Sequence, residues 1–191
     1  MEDITLIEQR NRLHPRKLMM WMAMASMFMV FAGLTSAFIL QSGSAKWVIF
    51  KLPIAFWFST IVIMASSYTM SKAVTFFKSR EKQRYKTFVS YTLILGILFI
   101  ALQLLGFADL YKQNITLQGS ASNGFLFIIS GLHIAHMVGA IIALVIVYLT
   151  AFRKKVKIYN STSIEIMSLF WHFVDGLWIY LFIFFLLNFK L

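Results

Sequence analysis

The side chains able to do chemistry in this 191-residue chain are few: four His, seven Asp or Glu, and no Cys. The lack of thiols excludes disulfides, Cys-ligated zinc, iron–sulfur clusters and thiolate nucleophiles. Any bound metal would have to use His, Met or carboxylate. Two pairs have a spacing that matters: His133 and His136 in GLHIAHMVGA, and His172 and Asp175 in WHFVDGLW. An i,i+3 spacing puts both members of a pair on one helix face. Glu165 stands seven residues before His172, so on roughly the same face two turns earlier.

Three chemistries compete for these residues. Haem ligation needs two His at similar depth on facing helices. Here His172 would lie ~7 Å inside one membrane edge and His136 ~20 Å from it, with His133 deeper still. Those depths do not match. Zinc or copper on His133 and His136 lacks a third and fourth ligand. A proton relay through His133, His136, His172 and Asp175 needs polar groups at contiguous depths, and the first three apolar runs offer almost none. The remaining reading is structural. His172 and Asp175 pair within one helix, while His133 and His136 bond to neighbouring helices or touch lipid. The spacing of Trp171, Trp178, Phe182, Phe185 and Phe189 is that of packing or lipid-facing aromatics.

The elements that position these groups follow from composition. Hydrophobic residues make up 60% of the chain and charged ones 13%, about half the charge of an average soluble domain. No single core of this size hides that much apolar surface, so lipid must solvate it. Five runs are long enough to cross a bilayer as helices: 18–40, 52–70, 88–107, 124–150 and 167–189. They do not alternate as barrel strands do, and lipid leaves the backbone no other partner. The expected fold is therefore all-α, a polytopic bundle of five transmembrane helices in a single membrane domain. The N-terminal segment, mixed in charge, reads as a retained tail over 1–17.

Orientation follows from the 18 basic residues. Arg10, Arg12, Arg16 and Lys17 lie in the tail. Lys72, Lys78, Arg80, Lys82, Arg84 and Lys86 lie in the second connection, and Arg153, Lys154, Lys155 and Lys157 in the fourth. Only Lys46, Lys51, Lys112 and Lys190 fall on the other side. This bias predicts a cytoplasmic N-terminus and an outer C-terminus. It also accounts for the net charge of +11 without nucleic acid. The connections are too short for a catalytic domain outside the membrane. No phosphate-binding glycine loop, nucleophile elbow or HExxH is present.

With these residues in view, the sequence resembles subunit III of the haem–copper respiratory oxidases, in its short five-helix form. The stretch EIMSLFWHFVDGLWIYLF carries the strongest likeness: Glu165, Trp171, His172, Phe173, Val174, Asp175, Trp178, Leu181 and Phe182 fill the family's places in its last helix. A second likeness is Ser130, Gly131, His133, His136 and Gly139. A third is Lys17, Trp21, Ser26, Phe31 and Ala37. The sequence departs from the family at Met27, where a buried Glu usually follows the Ser. Any role that depends on that carboxylate is lost here.

The resemblance implies an accessory, non-catalytic subunit in a bacterial inner (plasma) membrane. It would pack on subunits I and II, and on a subunit IV or supercomplex where one exists. The resemblance places haem and copper in the partner subunits and none in this chain. It implies bound structural phospholipid and support of proton uptake and sustained turnover. Arg153, Lys155 and Lys157 are candidate headgroup ligands, with His133 and His136 as further lipid contacts. Glu165, Trp171, His172, Asp175 and Trp178 would serve structure and assembly. Cytochrome c is the expected electron donor. A quinol oxidase and a nitric-oxide-reductase-associated homologue are the related alternatives, and a small transporter or proton relay the unrelated one.

Overall fold

The structure, a computed structural model, describes residues 15–42, 52–115, 121–152 and 161–188. These form five helices and no strand: α1 (Pro15–Gln41), α2 (Ile54–Lys78), α3 (Lys82–Lys112), α4 (Ala121–Phe152) and α5 (Ser161–Asn188). All five are long and apolar enough to cross a membrane. The shortest has 25 residues, or ~37 Å of helix against a hydrocarbon core of ~30 Å.

The helices outrun the expected spans, most clearly around the second connection. That connection is three residues, 79–81, and not the long basic loop suggested by its six cations. Lys72 and Lys78 belong to α2, while Lys82, Arg84 and Lys86 belong to α3. Backbone groups close the turn: Arg80 N–H donates to Phe77 O at 3.1 Å and Glu81 N–H to Phe76 O at 3.0 Å. This is the paired C-terminal motif that needs one left-handed residue. Arg80 takes that place, at φ 60°. Asn114 does the same after α3, at φ 58°, with Asn114 and Ile115 donating back to Tyr111 and Leu110.

Helices α2, α3, α4 and α5 close a ring in which each packs on the next, and the α2–α3 hairpin is the most intimate pair. Helix α1 lies outside the ring. Among the described residues it packs on α4 and α5 but not on α2 or α3. Its seam is Met24, Phe31, Thr35 and Phe38, all buried, at the three- and four-residue steps of a helix edge. The pattern is that of a lipid-solvated bundle. Polar Ser59, Ser66, Thr92, Gln103 and Ser130 are buried, while Leu40, Met29, Ile54 and Leu187 are exposed. Two glycines permit close contact on α3. A Cβ at Gly96 would lie 2.9 Å from Trp171, and one at Gly106 would lie 2.5 Å from Phe56.

Candidate functional site

Helix α5 is the organising element, and several of its polar residues pair with those of antiparallel α2. At one end Glu165 accepts from Lys17 of α1 at 3.1 Å and from Lys78 of α2 at 3.5 Å. Further in, Trp171 Nε1 donates to Ser66 Oγ at 3.1 Å. His172 Nδ1 meets Ser67 Oγ at 2.6 Å, and its Nε2 meets Ser71 Oγ at 3.2 Å. Deeper still, Trp178 Nε1 donates to Thr60 Oγ1 at 3.1 Å. From Lys78 at the Glu165 end, through Ser71, Ser67 and Ser66 around Trp171 and His172, to Thr60 at Trp178, the partners run antiparallel along α2 as one ladder. On the other flank of α5, Tyr180 OH lies 2.9 Å from Thr35 Oγ1 of α1.

This arrangement corrects the expected His172–Asp175 pair. The structure gives His172 to two serines of the neighbouring helix. Asp175 is buried, and neither of its oxygens has a hydrogen bond. The nearby Ser67 hydroxyl is engaged by His172. The i,i+3 relation puts the two side chains on adjoining flanks, but His172 leans toward the α2 hydroxyls instead.

The second His pair also departs from expectation. His133 is fully buried in an aromatic cage. Its ring centroid lies 5.2 Å from Trp178, 5.9 Å from Phe99 and 6.4 Å from Phe31. Neither nitrogen has a hydrogen bond, so no bond to a neighbouring helix forms, and the ring has no surface for a lipid. His136 is half-buried, with its Nδ1 2.8 Å from the carbonyl of Leu132 in its own helix. Both rings touch Phe31 of α1, so the pair marks where α1 seats on α4. Met27 is half-buried against the same core. Arg153, Lys155 and Lys157 lie outside the described residues.

The structure thus joins Glu165, Trp171, His172 and Trp178 into one ladder, with His133 resting on Trp178, and leaves His136 and Asp175 outside it. Sequence reasoning missed the α2 partners Thr60, Ser66, Ser67 and Ser71. The signal was present as hydroxyls at helical steps in an otherwise apolar run, FSTIVIMASSYTMS. Among the described residues no three His, Asp or Glu side chains gather as metal ligands. The chemistry of the site is adhesion: hydrogen bonds and ring contacts that fix five helices.

Comparison with known proteins places this architecture. The family described as cytochrome c oxidase subunit III matches residues 17–188. A probable quinol oxidase subunit 3 of Staphylococcus haemolyticus is 31% identical over 176 residues, covering 87% of this chain and 85% of that protein. A cytochrome c oxidase subunit 3 of Corynebacterium diphtheriae is 32% identical over 124 residues, covering 65% and 60%. A probable quinol oxidase subunit 3 of Staphylococcus saprophyticus is 25% identical over 187 residues, covering 94% and 92%. The ladder of α5, the five spans and a family match over nearly the whole chain lead to one conclusion: the chain belongs to the cytochrome c oxidase subunit III family, as an integral inner-membrane subunit of a haem–copper oxidase.

Proposed function

We propose that this chain is the accessory, non-catalytic subunit III of a terminal oxidase that reduces dioxygen to water, with haem and copper carried by its partners. The observation that carries the reading is the α5 ladder. Glu165, Trp171, His172 and Trp178 are spent on holding the chain's own helices together, which suits a rigid body that docks on a catalytic subunit. Subunits I and II are the partners, with a fourth subunit or supercomplex where the organism has one. The N-terminus lies in the cytoplasm. Supporting this, Lys17 and Lys78 meet at one end of the bundle beside Arg80, Lys82, Arg84 and Lys86, which is where positive charge accumulates on the cytoplasmic side.

In this reading the basic segment Arg153, Lys155 and Lys157 holds phospholipid headgroups, and the bound lipid supports proton uptake during sustained turnover. Neutralising the three together should lower the phospholipid retained by the purified complex. Equal lipid content by mass spectrometry would remove the headgroup role.

Cytochrome c is the donor in the first reading. A quinol is the second, favoured by the Staphylococcus haemolyticus relative, which matches more of the chain than the Corynebacterium diphtheriae one does. Purifying the complex through a tag on this chain tests the whole proposal. Haem-bearing oxidase chains should co-purify, and oxygen uptake with reduced cytochrome c or with quinol identifies the donor. A complex without haem–copper subunits would overturn the reading.

A further inference from the structure

Besides the two oxygens of Asp175 on α5, the buried side-chain polar atoms without a partner among the described residues belong to three side chains of α3 and α4. Gln103 Oε1 on α3, Ser130 Oγ on α4 and both ring nitrogens of His133 on α4 have no hydrogen bond, and all three residues are fully buried. Two ring contacts between the antiparallel helices fix their register: Phe99 on His133 at 5.9 Å and Phe107 on Phe127 at 5.3 Å. Gln103 lies midway between Phe99 and Phe107. Ser130 lies midway between Phe127 and His133. Gln103 and Ser130 are therefore at the same height on facing helices, with His133 one turn along.

Local chemistry leaves these atoms unspent. Gln103 Nε2 is committed to Ser59 Oγ of α2 at 2.8 Å, and its carbonyl oxygen is left as a bare acceptor. Helical Ser and Thr usually satisfy themselves on the preceding turn, as Ser59, Thr60, Ser90 and Thr92 do here. Ser130 does not, so its hydroxyl is available. Neutral His133 offers one donor and one acceptor. Such groups left unpaired in a dry interior forfeit the hydrogen bonds they make to water in the unfolded chain, which is why they are found paired with protein or with ordered water.

We propose that a single buried water molecule is bound between α3 and α4 at this level. Its two hydrogens go to Gln103 Oε1 and to the unprotonated nitrogen of His133, and its oxygen accepts from the Ser130 hydroxyl. Three polar partners are what a buried water typically has. The aromatic cage of Phe31, Phe99 and Trp178 closes the site toward α1 and α5. The bound water ties α3 to α4, whose direct bond between Ser90 and Tyr148 is long, at 3.4 Å.

A structure of the intact oxidase complex at water-resolving resolution tests this directly. Density is expected within ~2.7–3.2 Å of both Gln103 Oε1 and Ser130 Oγ, and it should disappear in Ser130→Ala. Finding Gln103 bonded straight to Ser130, with nothing between them, overturns the proposal. So does an ion at that position. A double-mutant cycle gives an independent reading. Gln103→Leu and Ser130→Ala should each lower the melting temperature of the full chain, and together by no more than the larger single shift. Additive shifts would show that the two residues share no ligand and overturn the proposal.

Discussion

Trp171 on α5 lies against the bare backbone of Gly96 on α3, at the point where its indole N–H reaches across to Ser66 on α2. One side chain thus joins three helices, and the glycine leaves room for it.

Gly96→Ala should destabilise the chain by about 1–3 kcal/mol, because a Cβ 2.9 Å from a fixed indole forces a shift in a packed interior. Gly106→Ala should cost at least as much, since its Cβ would meet Phe56 at 2.5 Å. Gly139 has nothing within 4 Å. Gly139→Ala should therefore gain about 0.5–1 kcal/mol of helix stability. Melting of the three variants in one detergent checks the ordering, and equal shifts would refute it.

The α5 ladder should be measurable rung by rung. A double-mutant cycle on Trp171→Phe and Ser66→Ala should return a coupling of about 0.6 kcal/mol, the common value for such bonds inside membranes. Zero coupling would mean that the indole is held by shape alone.

Glu165→Gln removes both ion pairs at the end of the bundle, yet the groups are partly exposed, with 31% of the Glu165 side chain and 60% of that of Lys78 accessible. The expected loss is only about 0–1 kcal/mol and should shrink in high salt. A large, salt-independent loss would show that Glu165 does more than pair with these lysines.

Asp175→Asn should leave the melting temperature of the isolated chain unchanged or raised. It replaces a buried carboxyl group, whose ionised form would be costly there, with a neutral amide of the same shape, and it leaves the serine partners of His172 in place. A fall of several degrees would reveal an ionic partner for Asp175.

Arg80→Gly should stabilise the turn between α2 and α3 by about 1 kcal/mol, because only glycine takes φ 60° without a side-chain penalty. Asn114→Gly, at φ 58°, should gain less, since Asn already tolerates that region. Thermal melts of both variants provide the comparison.

Much of this was legible in the sequence. Long apolar runs forced helices, and Trp171, His172, Asp175 and Trp178 at their spacing marked α5 as the distinctive element. The rest depended on facts that periodicity does not carry. Six cations around residues 72–86 suggest a loop, because charge is disfavoured within an apolar span. Yet Lys78 is the last residue of α2 and Lys82 the first of α3, with only three residues between them. His172 looked like the partner of Asp175 because both are polar and close in sequence. Across the interface, Ser67 and Ser71 were closer in space. Gly96 and Gly106 gave no sign of what they faced, since a glycine's partner is known only once two helices have met.

Helix α1 is clasped by α4 and α5 and by neither of the helices that follow it in the chain. During synthesis, then, α1 enters the bilayer before either of the helices it packs on. The α2–α3 hairpin can zip up as soon as it is delivered, while α1 has no helix to dock on until α4 follows. Products that stop before α4 would leave α1 with neither of its two neighbours, so the seating of the earliest helix waits on the later half of the chain.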